Sequence, residues 1–222
     1  MNAVREATKH MQANAPAHQR SVNVLIGFLS RTKNRGWKLM PKRKWDKKDK
    51  LFEFRISGKP DSDYATCTHT RKSVTGYMVW FEGTLIAVRS VMKKVLALST
   101  AEAELIALVM CIQEMMYLKK LVEALELKVE LPMIVKCDNK STVDLVNGHS
   151  SSGGTKHIDV KVMYARELKD AGVIKVMLIP TESNEADILT KNTDARTFNR
   201  HSGKFMSQVP SEQGGVLERG QD

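Results

Sequence analysis

The order in which apolar periodicities change along the chain restricts its fold more than any other feature. Residues 51–57 carry Leu51, Phe52, Phe54 and Ile56 in the near-alternation of a half-buried strand. Gly76–Phe81 and Thr84–Val91 are two further strand-like runs, and Glu82-Gly83 between them is a tight-turn signal for a hairpin. The period then becomes helical over Leu98–Glu126, where Leu105, Leu108, Ile112, Met115, Leu118, Val122 and Leu125 recur every three or four residues. Met133–Cys137 reads as a fourth strand and Asn139–Val146 as a short helix ended by Gly148. Thr155 is a candidate cap for a helix running to Ala171, with Gly172 as its stop. Val173–Ile179 is a fifth strand halted by Pro180, and Asn184–Thr190 a last helix. Three strands followed by β–α alternation require a mixed sheet with helices on its faces, an α/β architecture.

The flanks read differently. Residues 3–33 have a helical pattern, with Ser21 as a candidate cap for Val22, Leu25, Ile26 and Leu29, and Gly36 as a stop. Pro41–Lys50 holds six lysines or arginines without apolar periodicity and reads as a loop or linker, which sets a boundary near residue 50. Beyond about Phe198 the chain is polar and rich in Gly, Ser and Gln, the composition of an unstructured tail. The division expected is therefore a basic segment 1–50, a globular domain 51–195 and a tail 196–222.

Charge sharpens this division. The net charge is +10, yet residues 1–60 hold 15 Lys/Arg against 4 Asp/Glu while residues 61–222 hold 20 against 21. A basic arm on a near-neutral globule points to an anionic partner, nucleic acid foremost, with an acidic protein or a merely solvated segment as the other readings. Three cysteines with no Cys-x-x-Cys pair argue against a disulfide framework or a cysteine zinc site and for a reducing, intracellular setting. The longest uncharged apolar run, Val22–Leu29, is too short to span a bilayer, and MNAVREATKH is no secretory signal, so no membrane partner is expected.

The acids of the globular part fall at telling places. Asp61 follows the first predicted strand, Asp138 follows the fourth, Asp187 lies in the helix after the fifth, and Glu104 lies in the first turns of the long helix. Ligands of open α/β sheets bind beyond the strand ends, where such acids converge. Clustered carboxylates repel unless a cation sits among them, and an all-oxygen set suits Mg²⁺ or Mn²⁺. On the long helix, Ser99-Thr100-Ala101-Glu102 fits a capping box, which leaves Glu104, about 200° around the helix from Glu102, as the candidate ligand. Taken singly, each acid reads first as an ordinary cap or first-turn residue, and only their joint placement at strand ends argues for a site. Lys156 and His157 open a helix beside a Ser/Gly-rich loop, and Arg71 and Lys72 precede the second strand; all four are candidate contacts to substrate phosphate. Cys137 reads as a buried strand residue, and Trp80, Met115 and Met116 as core.

At these residues the chain resembles the C-terminal ribonuclease H domain of Copia-type (Pseudoviridae) retrotransposon Pol polyproteins. Six stretches carry the resemblance in order: Asp61-Ser62-Asp63-Tyr64-Ala65, Arg71-Lys72-Ser73-Val74-Thr75-Gly76-Tyr77, Ala97 to Glu104, Cys137-Asp138-Asn139-Lys140-Ser141, Thr155-Lys156-His157-Ile158-Asp159 and Ala186-Asp187-Ile188-Leu189-Thr190-Lys191. Residues 8–36 also resemble the end of the preceding reverse transcriptase. The resemblance implies a ribonuclease H-like fold with a five-stranded mixed sheet in the order 3-2-1-4-5. It implies hydrolysis of the RNA strand of an RNA–DNA hybrid, with the reverse transcriptase portion of the polyprotein as partner. It also implies two divalent ions, Mg²⁺ or alternatively Mn²⁺, held by Asp61, Glu104, Asp138 and Asp187. Such ions sit about 3.5–4 Å apart across the scissile phosphate. The setting would be a cytoplasmic particle or the nucleus. Lys59-Pro60 stands where the family has a small residue or Tyr before the first aspartate, and Pro60 cannot donate to a sheet ladder. The polymerase core lies outside these 222 residues, so a fragment, a processed product or a decayed copy is expected. A catalytically silent remnant that keeps the fold and binds nucleic acid is the alternative.

Overall fold

The computed structural model describes residues 2–8, 15–49, 51–64, 73–93, 99–148 and 156–208. Two compact units are present, one made of the chain up to Lys38 and from Asp194 onward, the other of Leu39–Thr193.

In the first unit, α1 spans Asn2–Thr8, α2 Pro16–Arg31 and β1 Arg35–Trp37. Ser21 is not the cap of α2. The helix begins six residues earlier, where Pro16 supplies a preset φ and His18 Nδ1 accepts from the Ala15 N–H at 3.0 Å. Ser21 instead donates to Ala17 O within the helix. Gly36 lies in β1 and not at the helix end, which falls at Arg31. Residues 195–208, polar enough to read as unstructured, are ordered here. They form a helix at Ala195–Ser202, capped by Asp194 accepting from the Thr197 N–H, and a strand at Met206–Gln208 that pairs antiparallel with β1. Phe28 meets Phe198 edge-on at 5.9 Å, an apolar anchor that mean composition hides.

In the second unit, β2 (Glu53–Phe54) precedes the central strand β3 (Ile56–Asp63). Hairpin strands β4 (Val74–Phe81) and β5 (Thr84–Met92) follow, then the long helix α3 (Thr100–Ala124). Next come β6 (Lys128–Val129), β7 (Met133–Cys137), α4 (Lys140–Asn147), α5 (Lys156–Asp170), β8 (Ile174–Leu178) and α6 (Asp187–Thr190). The helix and strand of residues 195–208 are thus α7 and β9. The principal sheet has the order β5-β4-β3-β7-β8, antiparallel among its first three strands and parallel from β3 to β8. That is the 3-2-1-4-5 order that the family resemblance implies. Glu82 and Gly83 both have positive φ, 50° and 78°, which matches the right-handed strand twist in a two-residue hairpin.

The first strand corrects the sequence reading. It runs past Gly58 and Pro60 to Asp63, so Asp61 lies inside it and not after it. Gly58 and Pro60 signal a break, but each fits a particular place in the sheet. A Cβ on Gly58 would stand 2.4 Å from Cys111 Sγ and 2.6 Å from Met115 Sδ of α3, so glycine lets the helix lie close. The β3–β7 ladder registers at Ser57 and Gly58 only, and beyond it the Asn184 side chain donates to Pro60 O at 2.9 Å. The amide and carbonyl of one strand residue point the same way, so the missing Pro60 N–H falls where β7 has left the ladder. Toward β4 the pairing continues unbroken through Pro60↔Tyr77 and Asp61↔Gly76.

The alternation of β3 sets two faces. Gly58 faces α3, and α4 and α5 pack with that helix around Leu105, Leu108, Ile112, Met133 and Val135. Lys59 and Asp61 face the other side, where α6 and the 3₁₀ turn Thr181–Ser183 lie. The basic stretch after Leu39 is irregular over 41–49 but fastened to the sheet. Arg43 bonds the buried Glu82 carboxylate through Nε and Nη2, and Trp45 packs edge-on against Phe54. Burial pushes the Glu82 pKa up, but the Arg43 guanidinium and the Arg55 N–H outweigh it and hold the group below its ordinary value.

Gly58→Ala tests the closeness of α3. The added methyl has to displace Cys111 and Met115, which costs about 1–3 kcal/mol. Urea unfolding is expected to show a lower midpoint at unchanged slope, and an unchanged midpoint would refute this packing argument.

Candidate metal centre

Four elements bring the acids together. Asp61 sits on β3, wholly buried and opposite Gly76. Asp138 follows the last residue of β7, and Asn139 caps α4 by accepting from the Thr142 N–H at 2.9 Å. Asp187 opens α6. Glu104 lies one turn into α3, whose cap Ser99 accepts from the Glu102 N–H at 3.1 Å. Glu104 is buried at 5% exposure, and its Oε2 has no hydrogen-bond partner.

Asp61, Asp138 and Asp187 each offer an oxygen within 4.8 Å of the others, while Glu104, Cys137 Sγ and Asp138 form a second group within the same limit. Asp138 belongs to both. All four sequence-predicted acids therefore share one place, at the end of β3 and β7.

Several neighbours set their charge state. Lys191, just after α6, donates to Asp61 Oδ1 at 3.1 Å and to Asp187 Oδ1 at 2.7 Å. Thr190 Oγ1 donates to Asp61 Oδ2. The Asn184 amide is shared between Asp138 Oδ1 at 3.1 Å and Pro60 O, while its own Oδ1 accepts from the Ala186 N–H. Burial is the main reason that the Asp61 pKa is pushed up to about 6, with Lys191 pulling the other way and Asp187 adding to the rise. Burial, then Asp61 and Asp138, push Glu104 up to about 9. Asp138 is raised too, by burial and by Asp61, against the Asn184 hydrogen bond. Burial opposes the charge on Lys191, but Asp61 and Asp187 outweigh it and hold the ammonium above its ordinary range.

The α6 segment is fixed from two sides. Ser90 on β5 donates to Leu189 O at 2.6 Å, and a Cβ on Gly76 would stand 2.7 Å from Thr190 Cγ2. Lys59 pairs with Glu185, donates to Ser183 O at 2.6 Å and lies over the Trp80 ring. Trp80, on β4 between β3 and β5, is thus half-buried and not core, while Met115 is fully buried.

The donor set fits a divalent cation. Four carboxylates converge, one buried carboxylate oxygen is without a partner, and an ammonium already stands between two of them. Among the sequence-predicted phosphate contacts, Arg71 and Lys72 lie outside the described residues. Lys156 and His157 form the first turn of α5, and their side chains lie outside them as well. Sequence reasoning missed Lys191, Thr190 and Asn184. The signal for Lys191 was present: four residues after Asp187 is the spacing of a helical ion pair.

No family model matches the chain. A retrovirus-related Pol polyprotein from transposon TNT 1-94 of Nicotiana tabacum is 40% identical over 143 residues, 64% of this chain and 11% of that protein. Those from transposons RE2 and RE1 of Arabidopsis thaliana are 25% and 24% identical, over 97% and 94% of this chain and 14% of each protein. The homologues of this chain are retrovirus-related Pol polyproteins of plant transposons. The resemblance carried by the six motifs holds, and the chain spans only 11–14% of the length of these relatives. Among solved structures, RNase H1 from Halobacterium salinarum NRC-1 is 14% identical with a TM-score of 0.44, over 61% of this chain and 94% of that one. LC11-RNase H1 in complex with RNA/DNA hybrid is 18% identical with a TM-score of 0.47, over 61% and 94%. No helix among the described residues is long and apolar enough to cross a membrane.

Two outcomes follow from the charge balance. Glu104 binds its proton more tightly folded than unfolded, so its contribution to stability is complete below about pH 4.5 and is lost as pH rises toward about 9. In chelator, melting temperatures of Glu104→Gln are expected to fall less steeply with pH over this window than those of the unsubstituted protein; parallel curves would refute the assignment. Lys191→Met removes a competing cation. Its melting temperature is expected to drop in chelator and to recover with Mg²⁺, with Mg²⁺ binding by calorimetry tightened about tenfold, roughly 1.4 kcal/mol.

Proposed function

We propose that this chain is a ribonuclease H that hydrolyses the RNA strand of RNA–DNA hybrids by two-metal-ion chemistry, as part of a Copia-type Pol polyprotein. The observation that carries the reading is the convergence of Asp61, Glu104, Asp138 and Asp187, with a partnerless buried oxygen on Glu104. The Pol polyprotein homologues support it.

In this reading Asp61, Asp138 and Asp187 hold one part of a divalent-metal centre, and Glu104 with Asp138 the other. Bound there, two Mg²⁺ or Mn²⁺ ions supply Lewis acidity toward phosphate oxygens and lower the pKa of water. Asn184 and Thr190 keep the Asp138 and Asp61 carboxylates oriented. Lys191 neutralises Asp61 and Asp187 before the substrate arrives and is then released toward phosphate. Arg71, Lys72, Lys156 and His157 contact the hybrid backbone, and the 2′-hydroxyl distinguishes the RNA strand. The basic segment 1–50 belongs to the reverse transcriptase end, the hydrolase is residues 51–195, and the remaining polymerase is the partner.

Cleavage of a labelled RNA–DNA hybrid with Mg²⁺ tests the reading. Asp138→Asn is expected to lower the rate at least about 100-fold while the fold, followed by circular dichroism, is kept. Equal rates refute catalysis at this site. Hybrid binding without cleavage by either protein would instead establish the silent remnant.

A further inference from the structure

Cys137 is the one non-oxygen donor that the two acid groups include. Its Sγ lies within 4.8 Å of carboxylate oxygens of both Glu104 and Asp138, and it is fully buried at the end of β7. The thiol donates to Asn139 O at 3.9 Å, a weak hydrogen bond. Nothing in the hydrolysis above uses it.

We infer that Cys137, Glu104 and Asp138 form a binding site for a thiophilic divalent cation such as Zn²⁺ or Cd²⁺, overlapping the Mg²⁺ site through its two carboxylates. Two independent observations support this. The three donors converge from β7, its C-terminal loop and α3. The Glu104 carboxylate, 5% exposed, offers an oxygen to this group and has a buried oxygen, Oε2, with no hydrogen-bond partner. A mixed thiolate–carboxylate set suits Zn²⁺, which takes sulfur at about 2.3 Å and carboxylate oxygen at about 2.0–2.2 Å. Mg²⁺ is hard, prefers six oxygens and gains nothing from sulfur. On binding, the S–H bond breaks, its proton passes to solvent and the thiolate pair forms the metal–sulfur bond. The two cation classes therefore exclude each other at Glu104 and Asp138, and the soft ion is an inhibitor of whatever the hard ion supports.

The readout is spectroscopic and needs no catalysis, so it is separable from the cleavage test. Cys67→Ser/Cys111→Ala leaves Cys137 as the sole thiol. Titration with Cd²⁺ is expected to produce the ultraviolet sulfur-to-cadmium charge-transfer band, saturating at one ion per chain. Adding Cys137→Ser is expected to abolish it. Glu104→Gln, which keeps the thiol, is expected to weaken Cd²⁺ at least about tenfold. Excess Mg²⁺ is expected to raise the apparent Cd²⁺ dissociation constant in proportion to its concentration. No band with Cys137 present, a band that survives Cys137→Ser, or Cd²⁺ binding indifferent to both Mg²⁺ and Glu104→Gln would each overturn the inference. Should Cys137→Ser fail to fold, the Glu104→Gln and Mg²⁺ arms still decide it.

Discussion

Drawing three carboxylates within 4.8 Å of one another, one of them wholly buried, is costly unless positive charge lies among them. The rest of the site is arranged around that cost. Lys191 supplies one ammonium to two of the acids, Thr190 and Asn184 supply hydrogen bonds, and the raised Asp61 and Glu104 pKa values show that the compensation is incomplete. A pocket left in this state favours divalent cations before any substrate is considered.

The scaffold makes the crowding geometrically unavoidable. β3 is central, so residues at its C-terminal end meet elements from both faces of the sheet. Gly58 lets α3 approach on one face, which brings Glu104 alongside. Gly76 lets α6 approach on the other, which brings Asp187, Thr190 and Lys191. β7 ends beside them and delivers Asp138. Two glycines, neither carrying any chemistry, thus set how near the acids come.

Much of this was legible in the residues. The change from period two to period 3.6 placed five strands and the long helix, and the Ser99 cap with the helical turn set Glu102 and Glu104 on different faces. Elsewhere local signals misled. Gly58 and Pro60 read as the end of a strand, because a residue that breaks a ladder in isolation is accommodated where the neighbouring strand has departed. The polar composition around Phe198 concealed a helix and a strand, because one aromatic anchor carries little weight in an average. The contact of Lys191 with Asp61 is not legible in its motif, because the two residues stand 130 apart in the chain.

By itself the sequence determined the succession of strands and helices, the acids that fall at strand ends and helix starts, and the motifs of one family pattern. Those follow from periodicity, caps and motif order, all of which are local. Only the tertiary structure decided that Asp138 is shared between two donor groups, that Glu104 keeps an oxygen without a partner, and that Cys137 Sγ lies beside them. Such facts are distances between separate elements, and distances are set by how closely helices pack across a sheet, which no single stretch of residues encodes.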